Sequence, residues 1–319
     1  MKDLCLRLEE QAPVGRLYDL DVLSPGGEKL SRPQSRRCLI CGGPVTVCSR
    51  SRAHGLAAIQ AKTEDILRSF AAGHLAQLAR QALEDEVCLT PKPGLVDRRN
   101  TGAHDDMDLP LFRRSAAALE PYFCRFVSLG MAGASPAELQ ALGREAEHAM
   151  LTATGGVNTH KGALYSFALL LSALGRSLTE GGDPFHTAAA IADALPPASG
   201  THGSAVRDQC GGVRQEAISG FPTARHMREL LSRSGALAAL TWSMSRLDDS
   251  TLVYRGGPEG LRYVQQAASA LLTLPENALV PALEALDDDL IARHLSPGGS
   301  ADLLSLALFL DAAAPETWL

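Results

Sequence analysis

From about Leu56 onward, apolar residues recur at every third and fourth position. Ala, Leu, Arg, Glu and Gln dominate and β-branched runs are scarce, which is the period and composition of helices packed on a core. The pattern predicts eight to eleven helices and no strand in this region. Ser135-Pro136-Ala137-Glu138 is a capping box with proline at the first helical position. Asp183-Pro184 and Ser300-Ala301-Asp302 should open two more helices in the same way. Gly175 reads as a C-terminal stop, and Pro121, inside an apolar periodic run, should kink or split its helix. The first 55 residues differ. Arg16–Leu23 (RLYDLDVL) alternates Tyr18, Leu20 and Val22 against Asp19 and Asp21, the period of a strand, before a turn at Ser24–Gly27. The expected fold is all-α: a single large multi-helix domain over residues 56–319, preceded by a short α+β piece over residues 1–55.

Composition sharpens this division. Residues 1–55 carry a net charge of +3 and the remainder -9, within a total of -6. An acidic chain lacks the basic surface that nucleic-acid phosphates require. No apolar run reaches the ~20 residues that span a membrane. The opening MKDLCLRLEE does not read as a secretory signal. Seven cysteines, an odd number, without such a signal point to reduced thiols in the cytoplasm.

The candidate chemistry lies where helices begin. In Gly155–Gly175 (GGVNTHKGALYSFALLLSALG) a greasy helix opens with Asn158, Thr159, His160 and Lys161. A helix N-terminus presents unpaired N–H groups and a partial positive charge, which suits phosphate; a simple cap with an exposed lysine is the plainer alternative. Glu86–Asp108 (EVCLTPKPGLVDRRNTGAHDDMD) is a long polar segment broken by proline and glycine. It holds Glu86, Lys92, Asp97, Arg98, Arg99, His104 and Asp106, a mixture suited to a magnesium nucleotide. Gly211–Pro222 places Arg214 and Glu216 beside paired glycines, and Leu247–Gly257 sets Asp249 ahead of Arg255 and Gly256. Leu295–Leu304 (LSPGGSADLL) is a further glycine-rich helix start, with Asp302 in its first turn. Asp19 and Asp21 would share one strand face, to hold a cation or simply to face solvent. Cys38, Cys41, Cys48 and His54 read C-x2-C-x6-C-x5-H, spacing open to zinc or to reduced cysteines packed in a small fold.

Taken together, these motifs resemble triphosphoribosyl-dephospho-CoA synthases of the citrate lyase system, with a malonate decarboxylase counterpart as a close relative. The resemblance covers roughly residues 60–310. Gln215 stands where the family often has glycine, and Thr251 where asparagine is common. The piece before it, through GRLYDLDVL and SRPQSRRCLICGGPVTVCSRSRAH (Ser31–His54), resembles the closing part of the phosphoribosyl-dephospho-CoA transferase that loads citrate lyase acyl carrier protein. It reads as a truncated or remnant fusion.

The resemblance implies an all-helical enzyme that joins ATP to 3′-dephospho-CoA and releases adenine. The implied reaction is substitution at the anomeric carbon of ATP's ribose, through an oxocarbenium-like transition state. On this reading Glu86, Asp97 and Asp106 supply base and metal chemistry, with Asp97 and Asp106 holding Mg2+. His160 donates a proton or hydrogen bond. Lys92, Arg98, Asn158, Lys161, Arg214, Glu216, Asp249, Arg255, Gly256 and Asp302 line the substrates. A hydrolase of N-glycosidic bonds, a non-enzymatic carrier-protein binding module and residual transferase activity are the competing readings.

Overall fold

The computed structural model describes residues 1–196 and 211–313. It divides into two compact units, Met1–His74 and Leu75–Leu319. Among the described residues there is no sheet, and no helix is long and apolar enough to cross a membrane.

The N-terminal unit contains α1 (Lys2–Glu10), a 3-10 turn (Pro13–Leu17), α2 (Val45–Ser51) and the first part of α3 (Leu56–Cys88). The strand expected at Arg16–Leu23 does not form. Arg16 and Leu17 lie in the 3-10 turn, and Leu23 makes only an isolated antiparallel bridge with Lys29. Alternation alone does not make a strand without a neighbour to complete its hydrogen bonds, so the α+β expectation reduces to helices with two isolated bridges. A buried carboxylate organises the segment instead. Glu9 accepts from the Leu20 amide (2.7 Å) and pairs with Arg36 (2.7 Å) and Arg32. Asp21 pairs with Lys29 and Asp19 lies beside Arg36, so each of the two acids sits near a cation rather than facing the other.

The second unit holds the rest of α3, then α4 (Leu109–Met131), α5 (Pro136–Ala153), α6 (Lys161–Glu180) and α7 (Pro184–Ala194). It continues with α8 (Gly212–Ile218), α9 (Pro222–Met244), α10 (Ser250–Leu271), α11 (Glu276–Ala292) and α12 (Gly298–Ala313). Ten helices among the described residues from Leu56 onward agree with the periodicity. Local signals performed as expected where they were purely local. Ser135 and Glu138 close a reciprocal capping box, and Asp183 caps α7.

Three borders differ. α4 runs unbroken through Pro121, whose missing N–H costs one bond inside a helix held by Leu119, Phe123, Phe126 and Val127, all fully buried. α12 begins at Gly298, two residues before Ser300. Gly175 does not end α6, which continues to Glu180 and stops at Gly181. Gly175 serves packing: a Cβ there would lie 2.1 Å from the Val127 carbonyl, and one at Gly130 would lie 2.0 Å from the Ser172 carbonyl. The two glycines let α4 and α6 meet backbone to backbone. α6 is buried around most of its circumference, with Phe167 lying between Phe123 (ring centroids 5.3 Å apart, tilted) and Phe309 of α12 (5.5 Å, edge to face). A helix apolar on nearly every side belongs at the centre of a fold, and its first turn is the end left for chemistry.

Candidate active site

The first wall is the segment joining α3 to α4. It is a built loop rather than a linker. Asp97 Oδ2 accepts from the Lys92 amide (2.9 Å), and Oδ1 accepts from the amides of Arg99 (2.6 Å) and Asn100 (3.1 Å). From α11, Asp287 accepts from the Gly94 amide (2.9 Å), Asn100 Nδ2 (2.7 Å) and Arg99 Nη1 (2.5 Å), while Asp288 takes Arg99 Nη2 (2.8 Å). Gly94 has φ +70° and leaves no room for a Cβ, which would sit 2.3 Å from the Leu295 carbonyl. The segment is thereby fixed on both sides, and Arg98 alone among its cations is exposed with no side-chain partner among the described residues.

Inside this wall Lys92 is almost fully buried and forms an ion pair with Glu86, at the end of α3. Burial pushes the Glu86 carboxyl up, and the Lys92 ammonium partly offsets this. Lys92 also acts on His160, whose imidazole is held down to about 3 by burial first and that ammonium second. His160 is therefore neutral, which removes it as a standing proton donor but not as a hydrogen-bond donor. Thr159 Oγ1 donates to Ser115 Oγ (2.7 Å), and Ser115 Oγ shares a hydrogen bond with His160 Nδ1 (2.7 Å). The His160 Nε2 is buried with no partner in the protein.

The mouth of α6 is completed by α12. Asp302 packs so closely on Gly162 that a Cβ there would lie 2.0 Å from Oδ2, and its carboxylate accepts from the Ala163 amide. Burial, then the charges of Glu86 and Asp249, raises the Asp302 carboxyl well above its ordinary range. Asp249 caps two helices at once. Its Oδ1 accepts from the Thr251 and Leu252 amides of α10 (2.9 and 3.3 Å), and its Oδ2 from the Ser300 amide of α12 (3.1 Å). Burial raises it to about 6 despite these bonds. Three carboxylates, one lysine and the starts of three helices thus converge.

Along one edge, Arg255 donates to the Ala103 carbonyl (2.9 Å) and to His104 Nδ1 (2.9 Å), while His104 Nε2 bonds Ser296 (2.9 Å). Burial and then Arg255 hold His104 down to about 4. Asp106 is exposed, 4.0 Å from His104 Nδ1. Gly256 passes close against Leu295, where a Cβ would meet the side chain at 2.4 Å.

The remaining expected residues hold structural contacts. Asn158 Oδ1 accepts from the Lys161 amide (3.2 Å), and Lys161 pairs with Glu147 of α5. Arg214 donates to the carbonyls of Ala192 (3.2 Å) and Leu195 (3.1 Å), closing the end of α7. Glu216 accepts from the Thr223 amide (2.7 Å) and hydroxyl (2.9 Å), capping α9. Sequence reasoning missed Asp287, Asp288, Ser115 and Glu147. A run of three aspartates in an otherwise apolar helix was the available signal for the first two.

The N-terminal unit has its own cluster. One donor atom from each of Cys38, Cys41, Cys48 and His54 lies within 4.8 Å of the others. No other set of this kind occurs among the described residues.

Comparison with known proteins places both units. The family described as ATP:dephospho-CoA triphosphoribosyl transferase matches residues 72–318. The apo-citrate lyase phosphoribosyl-dephospho-CoA transferase family matches residues 1–70. Protein CitXG of Haemophilus influenzae is 36% identical, over 97% of this chain and 76% of that protein. The 2-(5''-triphosphoribosyl)-3'-dephosphocoenzyme-A synthases of Haemophilus ducreyi and Klebsiella pneumoniae are 35% and 40% identical. They cover 85% and 77% of this chain, and 98% and 93% of their own lengths. The five motifs all fall inside the larger match, and the chain belongs to the ATP:dephospho-CoA triphosphoribosyl transferase family.

Proposed function

We propose that the mouth of α6 is where the triphosphoribosyl group passes from ATP to the 2′-hydroxyl of 3′-dephospho-CoA. The observation that carries this reading is the convergence of Glu86, Asp249 and Asp302 beside Lys92 at the starts of α6, α10 and α12. In the transfer the ribose C1′–N9 bond breaks, a C1′–O2′ bond forms, and a proton must leave the hydroxyl while adenine gains one. Two carboxylates in unlike environments suit the two proton tasks. Glu86, with an ammonium beside it, is the base. Asp302 has no cationic partner among the described residues, retains its proton more readily, and is the acid toward adenine. The buried, unpartnered His160 Nε2 supplies a fixed hydrogen bond, as donor when the Ser115 hydroxyl donates to Nδ1.

Helix N-termini with Lys161, Arg98 and Arg255 receive the triphosphate. Magnesium reaches such sites through one or two carboxylates plus substrate phosphates. Exposed Asp106 fits that role, whereas both oxygens of Asp97 are taken by backbone amides. When bound there, the ion would neutralise phosphate charge. Asp97 instead shapes the loop that carries Lys92. Because residues 1–70 match a citrate lyase family, citrate lyase acyl carrier protein is the proposed destination of the product.

The test is adenine release, followed by chromatography, from Mg-ATP with and without 3′-dephospho-CoA. Release that requires dephospho-CoA supports ribosyl transfer. Equal release without it points to N-glycosidic hydrolysis, and no release in either case refutes the site.

A further inference from the structure

We propose that Cys38, Cys41, Cys48 and His54 bind one zinc ion as a closed structural centre of the N-terminal unit. The inference is independent of ribosyl transfer. It starts from how the chain folds back on itself. The Cys38 amide donates to the Gly43 carbonyl (2.7 Å), and the Gly42 amide donates back to the Cys38 carbonyl (3.0 Å). Gly42 turns the chain at φ +70°. The amides of Ile40 and Cys41 point at the Cys38 sulfur. This turn sets Cys38 and Cys41 side by side as two ligands of one knuckle.

The other two ligands come from α2 and its exit. Cys48 lies within α2, and its sulfur is 3.5 Å from that of Cys41. Arg52 ends the helix in the left-handed region at φ 48°, and the Ala53 amide returns to the Cys48 carbonyl (3.1 Å). The reversal brings His54 back to the sulfurs. Its Nε2 is buried and has no hydrogen-bond partner, although a buried imidazole nitrogen ordinarily finds one. Both facts are explained if that nitrogen is a ligand.

The spacing agrees. Zinc–sulfur bonds of about 2.3 Å and zinc–nitrogen bonds of about 2.0 Å give a tetrahedron with edges of roughly 3.4–3.8 Å. The sulfur–sulfur separation lies in that range, and all four donors fall within 4.8 Å of one another. The cysteines are free rather than bridged. Three sulfurs with one imidazole in a tetrahedral array select zinc over the hard cations. Binding forms three Zn–S bonds and one Zn–N bond, and the thiol protons pass to solvent. The resulting centre carries one net negative charge, with Arg36, Arg37, Arg50 and Arg52 close by in the chain.

The unit needs such a staple. Among the described residues of Met1–His74 its buried apolar side chains are Val14, Ile66 and Ala72, the last two on α3. That is too little to order the residues between.

The experiment uses the full chain, purified under reducing conditions without added metal. Its zinc content is measured by plasma mass spectrometry, beside a Cys41→Ser/Cys48→Ser double variant. The expected result is one zinc per chain, lost in the variant. Cobalt exchanged into the unmodified chain should give the thiolate charge-transfer band and intense d–d bands of a tetrahedral centre. That spectrum decides the matter even if the variant misfolds. A metal-free chain with no cobalt spectrum overturns the proposal, as does a folded variant that retains its zinc. Adenine release measured on the same samples reports the ribosyl-transfer site separately, so either reading can fail alone.

Discussion

Replacing Lys92 with methionine probes the buried pair most directly. The side chains of Lys92 and Glu86 are 2% and 5% exposed, so the ammonium cannot be replaced by water without opening the core. Lys92→Met leaves the Glu86 carboxylate facing Asp97 and Asp302 with no counter-charge. Breaking one side of such a pair costs about 3–5 kcal/mol. Glu86 can escape by taking a proton, which makes the cost depend on pH. Its folded-state pKa already lies above the ordinary 4.5 because of burial, and loss of Lys92 raises it further. A carboxyl raised on folding loses stability as pH climbs from its unfolded value through its folded one. The penalty should therefore be small near pH 4.5 and grow toward neutrality. Urea unfolding followed by helical ellipticity, at about pH 5 and about pH 8, measures both limits. The double variant Lys92→Met/Glu86→Gln removes both charges and should recover most of the loss, while adenine release stays abolished. A single-variant penalty under ~1 kcal/mol at both pH values, or a double variant no better than the single, would refute a dry ion pair.

Asp302→Asn should lower turnover by about 100-fold or more, the scale of an acid–base contribution. It should leave stability at neutral pH unchanged or higher, because the raised carboxyl opposes folding once pH exceeds its ordinary 3.8; calorimetry that shows clear destabilisation would assign it a structural role. Lys161→Ala should raise the KM for ATP more than that for 3′-dephospho-CoA, and the opposite order would move the triphosphate elsewhere. Gly175→Ala should cost about 1–3 kcal/mol or more through the Val127 carbonyl. Gly73→Ala on α3, where a Cβ meets nothing, should gain up to about 1 kcal/mol; equal thermal shifts in the two would dismiss the packing argument.

What the sequence disclosed follows from how local each signal is. Ser135 and Asp183 bond to amides two or three residues away, so their caps are readable from adjacent letters. The motif loops were readable because glycine, proline and charge crowd together there. Gly175 and Pro121 were misread because their meaning lies in α4–α6 contact, which no short window contains. The same limit applies to Asp287. Its partners are Gly94, Arg99 and Asn100, and in isolation it resembles a solvated helix face. Burial also brings contacts that residue type does not announce: the oxygens of Asp97, a candidate metal ligand, accept from three backbone amides. The Cys-Cys-Cys-His spacing was legible. The left-handed turn at Arg52 that closes it was not.

The grip of Asp287 on the loop before α4 also bears on how the enzyme is made. Its three bonds span 187 to 193 residues. A nascent chain emerging from the ribosome can form α4, α5 and α6 early, since those helices pack on near neighbours. The loop that holds Lys92 must wait until α11 has been synthesised. Contacts of such separation are late and slow to form, so catalytic competence should appear abruptly near the end of translation. Chains released early would then be helical and soluble in part, yet inert toward ATP.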